Sequence, residues 1–181
     1  AWNYAYDDLG QVVSAMSSLA TGEGQLGADY AFSYDDIGNR RTTTKRAPAP
    51  WLDLVETYSP NLLNQYDQRV GPGRVEITGA AQPGATVTVM HPAEQGEVYP
   101  VQRQGDLFYA QVPVTSGKET RFAQFRVAGV VGNAGPAGED AVTEEVRSII
   151  VSGTAEAFVH DADGNLVADV CWNYEWDAEN R

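Results

Sequence analysis

Apolar and polar side chains alternate along much of this chain, the period of a β-strand. In four segments the alternate positions are aromatic: Trp2, Tyr4 and Tyr6; Tyr30, Phe32 and Tyr34; Phe158 and His160, with Glu156 at the first place; and Trp172, Tyr174 and Trp176. Alternation puts these side chains on one face of a strand, where each aromatic cross-strand pair contributes roughly 0.2–1 kcal/mol. Each run ends alike, in Tyr6-Asp7-Asp8-Leu9-Gly10, Tyr34-Asp35-Asp36-Ile37-Gly38, His160-Asp161-Ala162-Asp163-Gly164 and Trp176-Asp177-Ala178-Glu179-Asn180. The Asp accepts hydrogen bonds from turn amides, and Gly or Asn three positions on tolerates the left-handed backbone that closes the turn. A second strand follows, as at residues 11–14 and 40–44. Each segment therefore predicts a β-hairpin.

The last aromatic position recurs at Tyr6, Tyr34, His160 and Trp176, at intervals of 28, 126 and 16 residues. Setting aside residues 71–152 leaves room in the long gap for one more repeat, which reads as Tyr58-Ser59-Pro60-Asn61-Leu62-Leu63-Asn64-Gln65-Tyr66. The middle of the chain is rich in Val, Thr, Gly and Pro. It holds six short β-type runs, at 74–78, 85–90, 97–101, 107–114, 121–130 and 145–151, separated by turn signals such as Gln82-Pro83-Gly84 and residues 132–138. That density predicts a sandwich. Its first and last strands must lie close together, because both return to the hairpin array. The expected architecture is all-β, with hairpins over residues 1–70, a β-sandwich over 71–152, and hairpins resuming over 153–181.

Composition adds exclusions. The 181 residues, 43% of them apolar, can bury a core, and no apolar run is long enough for a membrane helix, so membrane insertion is not expected. Twelve Lys and Arg against 25 Asp and Glu give a net charge of −13, which repels a polyphosphate backbone, so nucleic acid is not an expected partner. Sixteen of those acids lie outside residues 74–152, and many are turn aspartates. Cys171 stands alone, which excludes an internal disulfide, and beside Trp172 it is expected to be a small buried apolar residue. The chain opens on Ala1 with neither a basic nor an apolar leader segment, and reads as a piece of a longer protein.

Tyr-Asp-x-x-Gly recurring in phase resembles the Rhs, or YD-repeat, family. The positions that carry the likeness are Tyr6, Asp7 and Gly10; Tyr34, Asp35, Gly38, Asn39 and Arg40; His160, Asp161, Gly164 and Asn165; and Trp176, Asp177, Asn180 and Arg181, all as structural residues. The likeness covers about half the chain, and the middle resembles a bacterial immunoglobulin-like domain by pattern. The resemblance implies a long sheet spiralling into a hollow shell, often enclosing a toxin or other polypeptide, within a large secreted or cell-surface protein. Its partners would be the remaining repeats of the parent chain and the enclosed polypeptide. The family's self-cleavage segment, with its Asp-Pro junction, is absent from these residues, so no protease residues are carried over. A rival reading makes exposed Tyr and Trp ladders a carbohydrate-binding or adhesive surface with a glycan as partner.

Candidate chemistry is sparse. Gly22-Glu23-Gly24-Gln25-Leu26-Gly27 spells a dinucleotide fingerprint, but it lies between hairpins with no βαβ unit, and reads as an inter-repeat loop. Asp161-Ala162-Asp163-Gly164-Asn165 opens like a calcium loop, yet Leu166 and Trp172 stand where that loop needs Gly and Glu. Neighbouring acids such as Asp7-Asp8 and Asp35-Asp36 do not oppose each other across a substrate. His91 and His160 are isolated, and neither HExxH nor GxSxG occurs. The expectation is a non-enzymatic chain with no catalytic, cofactor-binding or metal-binding residues and no cofactor.

Overall fold

The computed structural model describes residues 1–91, 96–114, 121–151, 155–179 and 181. Ser152, the expected end of the sandwich, and Asn180 of the last repeat lie outside the described residues. Among those described there are sixteen strands and no helix, hence none long and apolar enough to cross a membrane. The chain is all-β, as the alternation predicts.

The first six strands form three consecutive hairpins: β1 (Trp2–Tyr6) with β2 (Val12–Ser18), β3 (Gly24–Tyr34) with β4 (Arg40–Lys45), and β5 (Leu54–Pro60) with β6 (Tyr66–Val70). Hairpins also pair with each other, so all six make one antiparallel sheet in sequence order. The chain then leaves this sheet and returns in β14 (Ala155–Ala157), which pairs beside β6 with Ala155 directly opposite Val70. A last hairpin, β15 (Val159–His160) with β16 (Leu166–Ala168), follows at once, tied back through Phe158 N donating to Asp67 O.

Between β6 and β14 the chain builds two more sheets. One contains β7 (Arg74–Ala80), β10 (Gln102–Gln104) and β11 (Leu107–Pro113), with β11 central. The other runs β13 (Ala141–Val151), β12 (Arg121–Val131), β8 (Thr86–His91), β9 (Glu97–Tyr99). They face each other across a core of Val89, Tyr99, Ala110, Val112, Phe125 and Val151. Six of these seven strands fall on the runs picked out by alternation. The seventh, β10, is Gln102-Arg103-Gln104, which carries no apolar alternation. It is held instead by Arg103, whose guanidinium donates to the carbonyls of Ala81, Ala85 and Leu107.

The hairpin sheet meets the paired sheets where Gln104 of β10 accepts from Leu26 N and donates to Gly24 O, and at a polar and aromatic joint. Trp51 packs on Tyr109 with ring centroids 6.2 Å apart. Gln111 Nε2 donates to Leu52 O and to the Tyr109 hydroxyl, each at 2.7 Å, and Lys45 pairs with Glu76. Burial, with the Glu76 carboxylate nearby, pushes the Tyr109 phenol up to about 12. Burial also raises the Glu76 carboxyl, against the opposing pull of Lys45. Gly27 is required here for two reasons: its φ is +69°, and a Cβ would fall 3.0 Å from Glu76 Oε1 and 3.2 Å from the Tyr109 ring.

Two expectations fail near the C-terminus. The stretch 172–176 does not form a strand beyond a single bridge between Ala168 and Asn173, since none of the described residues lies along its other side to complete a ladder. Cys171 is exposed rather than buried, because it sits in a tight bend in which Asp169 Oδ1 accepts from both Cys171 N and Trp172 N at 2.7 Å.

Candidate functional site

The repeated turns share one hydrogen-bond plan. Asp7 Oδ1 accepts from Leu9 N at 3.0 Å and Gln11 N at 2.8 Å, while Asp7 N donates to Gln11 O and Gly10 N to Asp7 O. The same set of bonds forms around Asp35, Asn61 and Asp161. Asp177 Oδ1 likewise accepts from Glu179 N and Arg181 N. The closing residue is left-handed each time it is described, with φ of +78° at Gly10, +93° at Gly38, +63° at Asn64 and +93° at Gly164. The ladder slips by one residue beside each of these four turns, for example between Ser33 and Tyr34, so each hairpin is closed by a turn and a bulge.

Adjacent turns are linked by the residue after the left-handed one. Gln11 Oε1 lies against Gly38, Asn39 Nδ2 donates to Asn64 Oδ1 at 3.3 Å, and Gln65 Nε2 donates to Gly164 O at 3.2 Å. Each of these amides also bonds its own turn: Gln11 and Asn39 donate to the turn carboxylate, and Gln65 Oε1 accepts from Asn61 Nδ2. A row of side-chain amides thus runs along one end of the hairpin stack, hydrogen-bonded from the second turn to the third and from the third to the fourth. The sequence reading missed Gln11, Asn61 and Gln65, although a Gln or Asn four residues after the turn Asp or Asn, in four of the five repeats, was a visible signal.

The turn carboxylates are tuned by these contacts. Burial raises the Asp35 carboxyl, but hydrogen bonds from the Asn39 side chain and backbone and from Ile37 N outweigh it and hold the group below its ordinary 3.8. At Asp161 the Asn165 backbone and side chain lower it in the same way. A carboxylate depressed in the fold stabilises above its unfolded pKa, and that contribution is lost as pH falls through the folded value. The melting temperature is therefore expected to drop below about pH 4. Because Asn61 already performs the turn role, Asp35→Asn should keep the melting temperature near wild type at pH 7 and flatten the acid limb, whereas Asp35→Ala should lower it at both pH values. A pH series of thermal melts on the three proteins checks this; equal losses in both variants would count against it.

The aromatic positions share one face of the hairpin sheet. Cross-strand register sets Tyr4, Ala15, Tyr30, Lys45 and Leu54 in one row. Trp2 lies 6.3 Å from Tyr4 and 6.2 Å from Tyr30, and Tyr30 stacks on Phe32 at 6.3 Å. Cations cover part of the ladder, with Arg40 4.9 Å over Phe32 and Lys45 5.3 Å over Tyr30. Tyr34 reaches across to donate to Val12 O, and the Tyr66 hydroxyl accepts from Arg40 N. Tyr6 is exposed, and Trp176 caps the last hairpin by donating Nε1–H to Leu166 O. Arg181 pairs with Asp177 and Glu179.

On the same face, Arg69 lies between Tyr58 and Glu156 in the register. Its Nε and Nη2 donate to Glu156 Oε2 at 2.7 and 2.6 Å, and Nη1 sits 3.8 Å from Glu56. Burial opposes the Arg69 charge, but the Glu156 and Glu56 carboxylates outweigh it and raise its pKa. Glu156, the exception to the aromatic pattern, is the buried member of the pair, and Arg69 is the cation that its carboxylate requires.

The Gly-rich stretch 22–27 is not the expected inter-repeat loop throughout: Gly22 closes a turn, but Gly24 to Gly27 lie within β3, where they pair as strand. Among the described residues no three His, Cys, Asp or Glu side chains gather as a metal site. The features that recur are the turns, their amide row and the aromatic face, which together define an all-β protein built on stacked hairpins. No protein-family model matches the chain, and no curated protein matches it.

Proposed function

We propose that this chain is an architectural, non-enzymatic segment of a larger repeat protein. The hairpins form a wall of the Rhs/YD-repeat kind, and residues 71–152 are an immunoglobulin-like module projecting from it. The observation that carries this reading is the amide row, in which the second turn bonds the third and the third bonds the fourth. Such a stack gains stability from nearest-neighbour contacts and extends by adding units. In a secreted or cell-surface parent, a wall of this kind could enclose a toxin or other polypeptide, as the family resemblance implies.

The insertion part of the proposal has a direct test. Val70 and Ala155 are directly opposed in an antiparallel pair, the spacing that a two-residue turn spans. A chain in which Asn-Gly replaces residues 71–154 is expected to keep a β-type circular-dichroism spectrum and a cooperative melt, at a lower temperature because the Trp51–Tyr109 joint is gone. A spectrum without β-structure would overturn it.

A glycan-binding reading has one observation in its favour: Trp2 and Tyr4 are stacked while 49% and 54% exposed, an arrangement suited to a sugar ring. Oligosaccharide binding lost in Trp2→Ala with the fold intact would favour it over the architectural reading.

A further inference from the structure

The outermost strand of the four-stranded sheet, β13, pairs with β12 through eleven consecutive positions without a bulge and, among the described residues, has no partner on its other side. Ten of its eleven residues are exposed. Native edge strands are usually short, bulged, interrupted by Pro or guarded by charge, and a typical strand has about 5–6 residues. Of these devices β13 carries only charge, and its charges are opposite in sign to those they would meet on a second copy of the strand. Run antiparallel about Val146, the strand sets Val146 against Val146, Glu145 against Arg147, Glu144 against Ser148, Thr143 against Ile149 and Val142 against Ile150. Even positions meet even and odd meet odd, so every side chain stays on its own face of the sheet.

We propose that β13 is a homodimer interface at which a second copy of this chain pairs antiparallel, register centred on Val146, continuing one sheet into the other. On one face the pairing creates two Glu145–Arg147 cross-strand contacts. In the single chain these two residues already bond each other at 2.8 Å while remaining 57% and 73% exposed, so the dimer joins two ion pairs into a cluster of alternating sign. On the other face it brings together Val142, Val146 and Ile150, which are 58%, 51% and 46% exposed, and adds Phe122, 76% exposed and opposite Ile150 in β12. Backbone groups along the free edge find partners at the same time. Self-complementarity selects a second copy over an unrelated strand, and a twofold contact closes on itself instead of propagating into a fibre.

Light scattering on the full chain over a dilution series should give a species at twice 19.6 kDa that dissociates on dilution. Glu145→Arg and Arg147→Glu each set like charges opposite one another at two places. Each should weaken the dimer about tenfold or more, as should Val146→Lys at the twofold axis. All three sites are exposed, so circular dichroism and melting temperature should stay near wild type. Mixing the Glu145→Arg and Arg147→Glu proteins restores opposite charges at both places, and a one-to-one heterodimer is expected. A wild-type monomer at every concentration overturns the proposal. So does a dimer indifferent to all three substitutions, or a mixture that stays monomeric.

Discussion

Phe125→Ala is expected to destabilise the paired sheets by about 3–5 kcal/mol, the range for removing a fully buried aromatic. Phe125 is 1% exposed and meets His91 edge-on, with ring centroids 5.1 Å apart. Among the described residues neither imidazole nitrogen of His91 has a hydrogen-bond partner, so no polar contact of His91 compensates for the lost ring. A domain of ordinary stability has about 5–15 kcal/mol in all, so the loss takes a large share. Among the described residues the hairpin sheet meets the paired sheets at the Trp51–Tyr109 joint and where Gln104 bonds Gly24 and Leu26 of β3, and neither contact involves Phe125. Hydrogen exchange in β8, β11 and β12 should accelerate about 100-fold or more, while β3, β4 and β5 change much less. Equal acceleration across both would show that the two parts share a single core.

Arg69→Leu is expected to cost about 2–3 kcal/mol, because it leaves the Glu156 carboxylate, 9% exposed at the side chain, without its cation. The loss should concentrate at β14, which is held to β6 by only three residue pairs. The last hairpin would then fray from the stack, visible as faster exchange at residues 155–168. Adding Glu156→Phe to Arg69→Leu should recover stability to within about 1 kcal/mol, since removing both charges together avoids the uncompensated one and restores the aromatic found at this place in other repeats. If the double variant is less stable than Arg69→Leu, the ion pair has a role beyond neutralising Glu156.

The turns were the most legible part of the chain. Asp, the intervening pair and Gly lie within five residues, so their hydrogen bonds are local and their signature is contiguous in sequence. The aromatic alternation was legible for the same reason, because period two is a property of any strand. Legibility failed where a residue answers a distant partner. Glu156 looks like a lapse in the pattern until Arg69, 87 residues away, is placed beside it. Strand β10 has no apolar period, because it is fixed by Arg103 donating to carbonyls of other segments. Cys171 and Trp172 looked like the start of a strand, but a strand needs a neighbour, and the nearest backbone offers only the Ala168–Asn173 bridge.

Local chemistry in the sequence therefore determined the hairpins, their turns, the all-β class and most strands of the paired sheets. Only the tertiary structure decided that β14 returns beside β6, that successive turns bond through Asn39 and Gln65, that Arg69 pairs with the buried Glu156, and that β13 has a free edge among the described residues. The physical reason is range. Turn closure and strand alternation are settled among residues within a few positions of each other, whereas sheet order and the burial of charge depend on which distant segments come to lie side by side.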